Sequence, residues 1–134
     1  MLEHEKWSQI AKDDLMVAKA LLKLEFFSAV TYHCQQSAEK ALKAYLAFKK
    51  HTILKSHDLN KLVGLCKKID VTFDQLYDSA DHLNPYATKF RYPTEFEIPD
   101  LEDSELAIKH AQTIIRFVLK KLAEPETGQK SILD

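Results

Sequence analysis

An arginine surrounded by aromatic residues is the feature of this sequence best suited to chemistry. Arg91 stands between Phe90 and Tyr92 in a segment rich in proline and aromatic residues, and it is one of only two arginines among 19 basic residues. A guanidinium can bind a phosphate or carboxylate through two hydrogen bonds and can stack on a ring, which lysine does less well. A ring such as Tyr86 or Tyr92 can stack on a base. This segment therefore predicts a site for a base and its phosphate.

The same arginine has a structural alternative. Asp14 falls within the apolar stripe of the first predicted helix, and burying a carboxylate without a partner is costly. Arg91 could pair with Asp14 or with Glu39 and so tie its loop to the rest of the protein. The residues alone favour neither use. For Asp14 itself we expect a partly exposed position at the edge of the stripe.

A second polar group lies on the longest predicted helix. Glu39 and Lys43 are four residues apart in the favourable order for a helical ion pair. On a surface such a pair contributes only ~0.3–0.5 kcal/mol, although the two side chains could also line a polar groove. His57 and Asp58 precede another helix, where local capping is the simpler expectation.

The sequence lacks the residues that several other kinds of functional site require. The chain has only Gly64 and Gly128, so no glycine-rich phosphate loop is present. No serine nucleophile elbow or zinc-type cysteine pair occurs. The acidic and imidazole side chains of Asp78, Asp81 and His82 share part of one helical face, but three such residues on an exposed face are expected to be solvated. We predict no catalytic residues, no metal site and no cofactor.

The elements that must position these residues are helices. Apolar residues recur at steps of three and four through residues 27–50, with no Gly or Pro, which predicts one long helix with an apolar face. A polar row and a row of alanines occupy its other sides, so we expect it to be central and to contact a further helix. The apolar positions are Phe27, Val30, Cys34, Ala38, Ala41, Tyr45 and Phe48.

Four further helices are predicted around it. The first covers residues 5–24, a short one is capped by Ser56 or Asp58, the next starts with a Thr72–Gln75 capping box, and the last runs from Asp100 or Asp103 to residue 122. We therefore predict an all-α, up-and-down four-helix bundle with a short additional helix. It forms a single domain over residues 1–122, and residues 123–134 are expected to be a disordered tail.

Composition restricts the partners. With 134 residues and a net charge of −1, the chain as a whole attracts neither nucleic acid nor an acidic membrane. A small basic cluster is expected to be a solvated helix end rather than a phosphate site (Lys49, Lys50, His51 and Lys55). Cys34 and Cys66 are expected to be small buried hydrophobes, consistent with a reducing cytoplasm. No apolar run is long enough to span a membrane.

A combination of short motifs resembles a known family. The order is Tyr32-x-x-Gln35-Gln36-x-Ala38-Glu39-Lys40-x-x-Lys43-Ala44, then Ser56-His57-Asp58-Leu59, then Arg91-Tyr92-Pro93. It resembles the HEPN domain family (higher eukaryotes and prokaryotes nucleotide-binding) over residues 5–122. The resemblance implies a helical bundle that is usually dimeric and often encoded beside a minimal nucleotidyltransferase in toxin–antitoxin-like systems. Some members are metal-independent endoribonucleases.

One motif of the ribonuclease members is missing. They carry an arginine followed four to six residues later by a histidine, and neither Arg91 nor Arg116 is followed in this way. Without that imidazole the usual acid–base partner is absent.

The function predicted is therefore a nucleotide-binding or interaction module, as a homodimer and a partner of a nucleotidyltransferase, rather than an enzyme. Arg91 would bind a phosphate, Tyr86 or Tyr92 would stack on a base, and Lys43 would add charge. Glu39 and His57 complete the candidate site. The alternatives are a metal-independent endoribonuclease with a degenerate site and a purely structural subunit without a ligand.

Overall fold

The computed structural model of the chain describes residues 1–89 and 98–124. Within these residues the regular structure is helical, with no strand. A 3₁₀ helix, Val71–Leu76, leads directly into the fourth of the six α-helices in the described residues. The helices are α1 (Glu3–Lys23), α2 (Phe27–Phe48), α3 (Leu59–Ile69), α4 (Tyr77–Leu83), α5 (Tyr86–Lys89) and α6 (Leu101–Ala123). The predicted all-α bundle is confirmed.

The helix α2 lies at the centre of the bundle. It packs along α1 and α6 and also contacts α3, α4 and α5. Its apolar face carries fully buried residues such as Val30, Leu42 and Leu46, and Ala44 on another side is buried as well. The prediction of a central helix with two faces away from solvent is confirmed, although the helix ends at Phe48, before residue 50.

Neither α1 nor α2 is followed by a glycine, although the chain after each helix adopts the left-handed conformation that usually favours one. Glu25 (φ 61°) and Lys50 (φ 56°) occupy the left-handed region. In each case the next amide reaches back five residues, Phe26 to Leu21 at 3.2 Å and His51 to Leu46 at 2.9 Å. These bonds are the Schellman ending, which satisfies the last carbonyls and reverses the chain. The α1–α2 hairpin follows from the first of them.

Aspartates cap the later helices. Asp58 accepts the amide of Asn60 at 3.0 Å and caps α3, and Asp100 accepts the amide of Asp103 at 2.8 Å and caps α6. Each is one of the two cap candidates predicted for its helix. The prediction of a Thr72–Gln75 capping box is wrong. Asp70 is the cap instead, because its carboxylate accepts both the amide and the hydroxyl of Thr72, and the chain then forms a 3₁₀ turn rather than an α-helix.

Asp14 joins two helices. Its carboxylate lies 3.1 Å from the Nδ1 atom of His33, so α1 and α2 are connected by a polar contact within their apolar interface. The side chain remains partly exposed, as expected for the edge of the stripe. None of the helices in the described ranges is long and apolar enough to cross a bilayer.

Candidate functional site

A group of polar side chains meets on one side of α2. We call it the polar cluster, and it consists of five residues of α2 and one from the segment before α3: Gln35, Gln36, Glu39, Lys40, Lys43 and His57. Residues three and four apart share one side of a helix, which is why the α2 members are neighbours. His57 comes from 18 residues further along the chain than Glu39.

Glu39 is the centre of the cluster. Its side chain is only 1% exposed, and each carboxylate oxygen has a short contact: Oε2 with Lys43 Nζ at 2.9 Å and Oε1 with His57 Nδ1 at 2.8 Å. Lys40 Nζ lies 3.5 Å away. Burial raises the pKa of this carboxyl, but the hydrogen bonds from His57 and Lys43 and the charges of Lys40 and Lys43 outweigh it, so the pKa lies below its ordinary value. Glu39 is therefore an ionised carboxylate inside the protein.

This ionisation determines the state of the histidine. Because a carboxylate only accepts hydrogen bonds, His57 Nδ1 must be the donor and must carry a proton. The other ring nitrogen, Nε2, is then the one that can exchange a proton or contact a ligand. The side chain of His57 is 69% exposed, so the ring faces solvent while its inner nitrogen is held by Glu39.

The backbone around His57 is fixed as well. The buried Gln35 side chain donates to the His57 carbonyl at 2.9 Å. The next residue, Asp58, caps α3 and accepts from the Asn84 side-chain amide at 3.2 Å, and the Asn84 side-chain oxygen accepts the Leu59 amide at 2.9 Å. The exposed imidazole therefore projects from a segment tied to α2 on one side and to the end of α4 on the other.

Lys40 and Lys43 have different roles. Lys43 is 7% exposed, with its ammonium on Glu39 and 5.7 Å from the centre of the Trp7 ring. Lys40 donates to Gln36 Oε1 at 2.8 Å, and Gln36 in turn donates to Gln35 Oε1 at 2.7 Å. Lys43 thus neutralises the buried carboxylate, whereas Lys40, 19% exposed, lies at the rim of the cluster.

The structure brings together only some of the predicted site residues. Glu39, Lys43 and His57 meet in the polar cluster. Tyr86 lies in the hydrophobic core at 8% exposure, where burial and the nearby charges of the α6 N-terminal aspartates raise the pKa of its hydroxyl. Arg91 and Tyr92 fall outside the described residues.

Gln35, Gln36 and Lys40 were not among the predicted site residues, although all three belong to the motif on α2. Their pattern gave one usable signal, since Gln36 and Lys40 have the same four-residue spacing as Glu39 and Lys43. Nothing in the spacing indicated that the segment around residue 57 returns to this side of α2.

Two of the three side chains considered as metal ligands, Asp81 and His82, have other partners. Asp81 accepts from Asn60 at 2.7 Å, and the His82 ring stacks on His110 at 4.3 Å. In the described parts of the chain, no group of three or more His, Cys, Asp or Glu side chains could hold a metal ion. Cys34 and Cys66 are free and buried, and burial raises the pKa of each thiol to about 12.

Comparison with known proteins gives a consistent result. The HEPN domain family model matches residues 4–122. A protein of Methanocaldococcus jannaschii named "Putative toxin MJ1304" is 30% identical over 139 aligned positions, which cover 91% of this chain and 89% of that protein.

Two crystal structures share the fold. TT1696 from Thermus thermophilus superposes with a TM-score of 0.79 at 26% identity, covering 90% of this chain and 99% of that one. ST0689, described as an archaeal HEPN homologue, superposes with a TM-score of 0.74 at 23% identity, covering 91% and 99%. The family match spans nearly the whole described bundle, and the chain belongs to the HEPN domain family.

Proposed function

We propose that this chain is the HEPN component of a two-component, toxin–antitoxin-like system and that its polar cluster recognises a nucleotide. One observation carries the nucleotide part: an exposed imidazole, His57, is held by a buried carboxylate beside the rim lysine Lys40. The relative named as a putative toxin supports the system-level part.

The charge of the cluster suits an anion. Glu39 contributes one negative charge, which the buried Lys43 balances, so Lys40 remains in excess, and a protonated His57 would add a second positive charge. In this proposal His57 Nε2 and Lys40 bind phosphate oxygens, and Gln36 binds a further polar group. The buried pair of Glu39 and Lys43 holds these side chains in position.

The remaining predicted residues have a proposed place in the same site. Arg91 would add a forked contact to phosphate, and Tyr92 would stack on the base. Tyr86 is better explained as part of the core, because its ring is buried. The homodimer, the minimal nucleotidyltransferase partner and the cytoplasmic location are part of the proposal as well, on the strength of the family.

Titration calorimetry tests the site. ATP, GTP and a short single-stranded RNA are titrated into the wild type, His57→Ala and a matched control, His51→Ala, which removes another exposed imidazole from the same segment. We expect binding of at least one of the three, weakened about tenfold or more by His57→Ala and unchanged by His51→Ala, since a bond to a charged group contributes about 1.5–3 kcal/mol. Absence of heat with all three ligands would contradict nucleotide binding.

The same geometry favours a second function, metal-independent cleavage of RNA. His57 Nε2, with Nδ1 held by Glu39, can take the proton of a ribose 2′-hydroxyl. The 2′-oxygen would then attack phosphorus, the bond to the 5′-oxygen would break, and that oxygen would take up a proton from water, leaving a 2′,3′-cyclic phosphate. In this second proposal, His57 takes the place of the histidine that the chain lacks because it has no Arg-x4–6-His motif.

End-labelled RNA incubated with the protein in EDTA distinguishes the two functions. Cleavage that is lost in His57→Ala and in Arg91→Ala, but kept in His51→Ala, would identify an endoribonuclease. RNA that stays intact while calorimetry detects binding would leave the binding module as the function.

A further inference from the structure

A concave site that is distinct from the polar cluster lies on α3. An open groove of about 570 Å³ shares no lining residue with that cluster, and its volume is within the range of small-molecule sites. Its apolar lining comes from Leu54, Leu65 and Tyr77. Its cationic residues are Lys61, Lys67 and Lys68, and Gly64 lies among them on the helix.

The charged residues that line this groove are all positive. No carboxylate lines it, and among the described residues none lies within ion-pair distance of its three lysines. The surrounding segment, residues 49–69, holds six lysines and one aspartate in a protein whose net charge is −1. Lys67 Nζ lies 5.7 Å from the centre of the Tyr77 ring, so one cation is already placed over the apolar lining.

Gly64 is the most informative residue of the groove. A glycine inside a helix costs about 0.5–1 kcal/mol relative to alanine. The backbone does not need it here, because no glycine of the described residues has a positive φ. Packing does not need it either, because an added Cβ would meet only the Tyr77 hydroxyl, at an ordinary contact distance of 3.5 Å. What the glycine does is leave open the space beside Tyr77.

We propose that the α3 groove is a binding site for a small organic anion that combines a flat apolar body with one or more negative charges. The apolar body would lie on Leu65 and Tyr77 in the space left by Gly64, and the anionic group would face the lysines. Lysine ammonium groups act as mobile point charges, so this site selects charge and apolar area rather than one forked geometry. The site goes beyond the proposed nucleotide function and does not depend on it.

A pair of fluorescent probes separates the two requirements. 1-Anilinonaphthalene-8-sulfonate has the apolar body and a negative charge, and N-phenyl-1-naphthylamine has nearly the same body without the charge. We expect one equivalent of the sulfonate to bind to the native full-length chain, with an affinity that falls as salt is added. The neutral probe should bind about tenfold more weakly or not at all. Equal binding of the two probes would overturn the role of the lysines.

Variants place the probe in the groove. Lys61→Gln/Lys67→Gln/Lys68→Gln should weaken the sulfonate about tenfold, since each exposed charge contributes a modest factor. The control Lys19→Gln/Lys109→Gln/Lys120→Gln removes three exposed lysines elsewhere and should change binding less than about twofold. Equal effects of the two triple variants would contradict a specific site.

A steric pair completes the test. Gly64→Leu fills the space beside Tyr77 without changing any charge and should abolish binding, whereas Gly64→Ala should keep it within about twofold. Circular dichroism confirms that both variants fold. In wild-type nitrogen–proton spectra the Gly64 amide should shift on adding the sulfonate. Undiminished binding by a folded Gly64→Leu variant, or an unmoved Gly64 amide, would overturn the proposal.

Discussion

Replacing Glu39 by glutamine should destabilise the protein by about 3 kcal/mol. The carboxylate accepts from Lys43 and His57 through separate oxygens, and an amide has only one acceptor oxygen. The amide oxygen can still accept from Lys43, and the amide nitrogen can face His57 Nδ1 only if that ring changes its tautomer. Both contacts therefore lose their charge assistance, at about 1–1.5 kcal/mol each. The Lys43 ammonium, 7% exposed, is left without its counter-charge. A domain of this size has a stability of about 5–15 kcal/mol, so the variant should still fold.

Urea denaturation followed by circular dichroism measures this loss. The control is Glu105→Gln, which removes an exposed glutamate from α6 and should change the free energy of unfolding by less than about 0.5 kcal/mol. The double variant Glu39→Gln/Lys43→Met no longer contains the unpaired ammonium. Its loss in free energy of unfolding should therefore be smaller than the sum of the losses of the two single variants, by about 1–3 kcal/mol. If Glu39→Gln unfolds at the same urea concentration as Glu105→Gln, the carboxylate is not the buried, paired group described above.

The stability that Glu39 contributes should change with pH in a defined direction. The pKa of Glu39 in the folded state lies below its ordinary value of 4.5. Stability from this group is therefore present above about pH 4.5 and is lost as the pH falls through the lower folded-state pKa. The stability contributed by Asp70 depends on pH in the same direction. Burial raises the pKa of its carboxyl, but hydrogen bonds from Thr72 and Lys121 outweigh this effect, so the pKa lies below its ordinary value. The Glu39→Gln variant should accordingly show a shallower loss of stability in acid than the wild type.

Three further outcomes are expected. Asp58→Ala should lower the free energy of unfolding by about 1–2 kcal/mol in urea titrations, because it removes the α3 cap. Gly64→Ala should raise it by about 0.5–1 kcal/mol, because the helix gains propensity and the added Cβ fits; a loss would show that the contact with Tyr77 is tighter than 3.5 Å. Cys34 and Cys66 should not react with a disulfide reagent at pH 8 until urea unfolds the chain, because burial raises the pKa of each thiol to about 12.

The architecture was predictable because its determinants are local and repeated. The three- and four-residue steps along α2 place Val30, Cys34 and Ala38 on one face, and all three are buried. The caps at Asp58 and Asp100 depend on side chains that bond their own neighbouring amides, so a short sequence window contains the whole cause. The missed cap shows the limit of this reasoning: Asp70 and Thr72 both can cap, and only the path of the chain decides between them.

The polar cluster could not be predicted in full because its determinants are distant in sequence. The spacing of Glu39 and Lys43 indicates only that they share a side of α2, and an exposed pair has the same spacing as a buried one. Their burial depends on Trp7 of α1 and on the segment before α3, which returns to α2 and places His57 on the carboxylate. Asp58 was one of two predicted caps of α3, but the contact between the preceding imidazole and Glu39 required the structure.

The burial of these charges is itself an argument for function. A buried ion pair can often be replaced by apolar residues of similar volume with no loss of stability, and α2 already carries large apolar side chains such as Leu42 and Leu46 next to the pair. The fold alone therefore does not require an ionised carboxylate inside the bundle. Its contacts do give it a use, because it fixes the proton on His57 Nδ1 and leaves the rest of that ring in solvent. Departures from the apolar pattern of a core concentrate at functional sites. This one ends at an oriented, exposed imidazole, which is why we propose that the functional site lies on this side of α2.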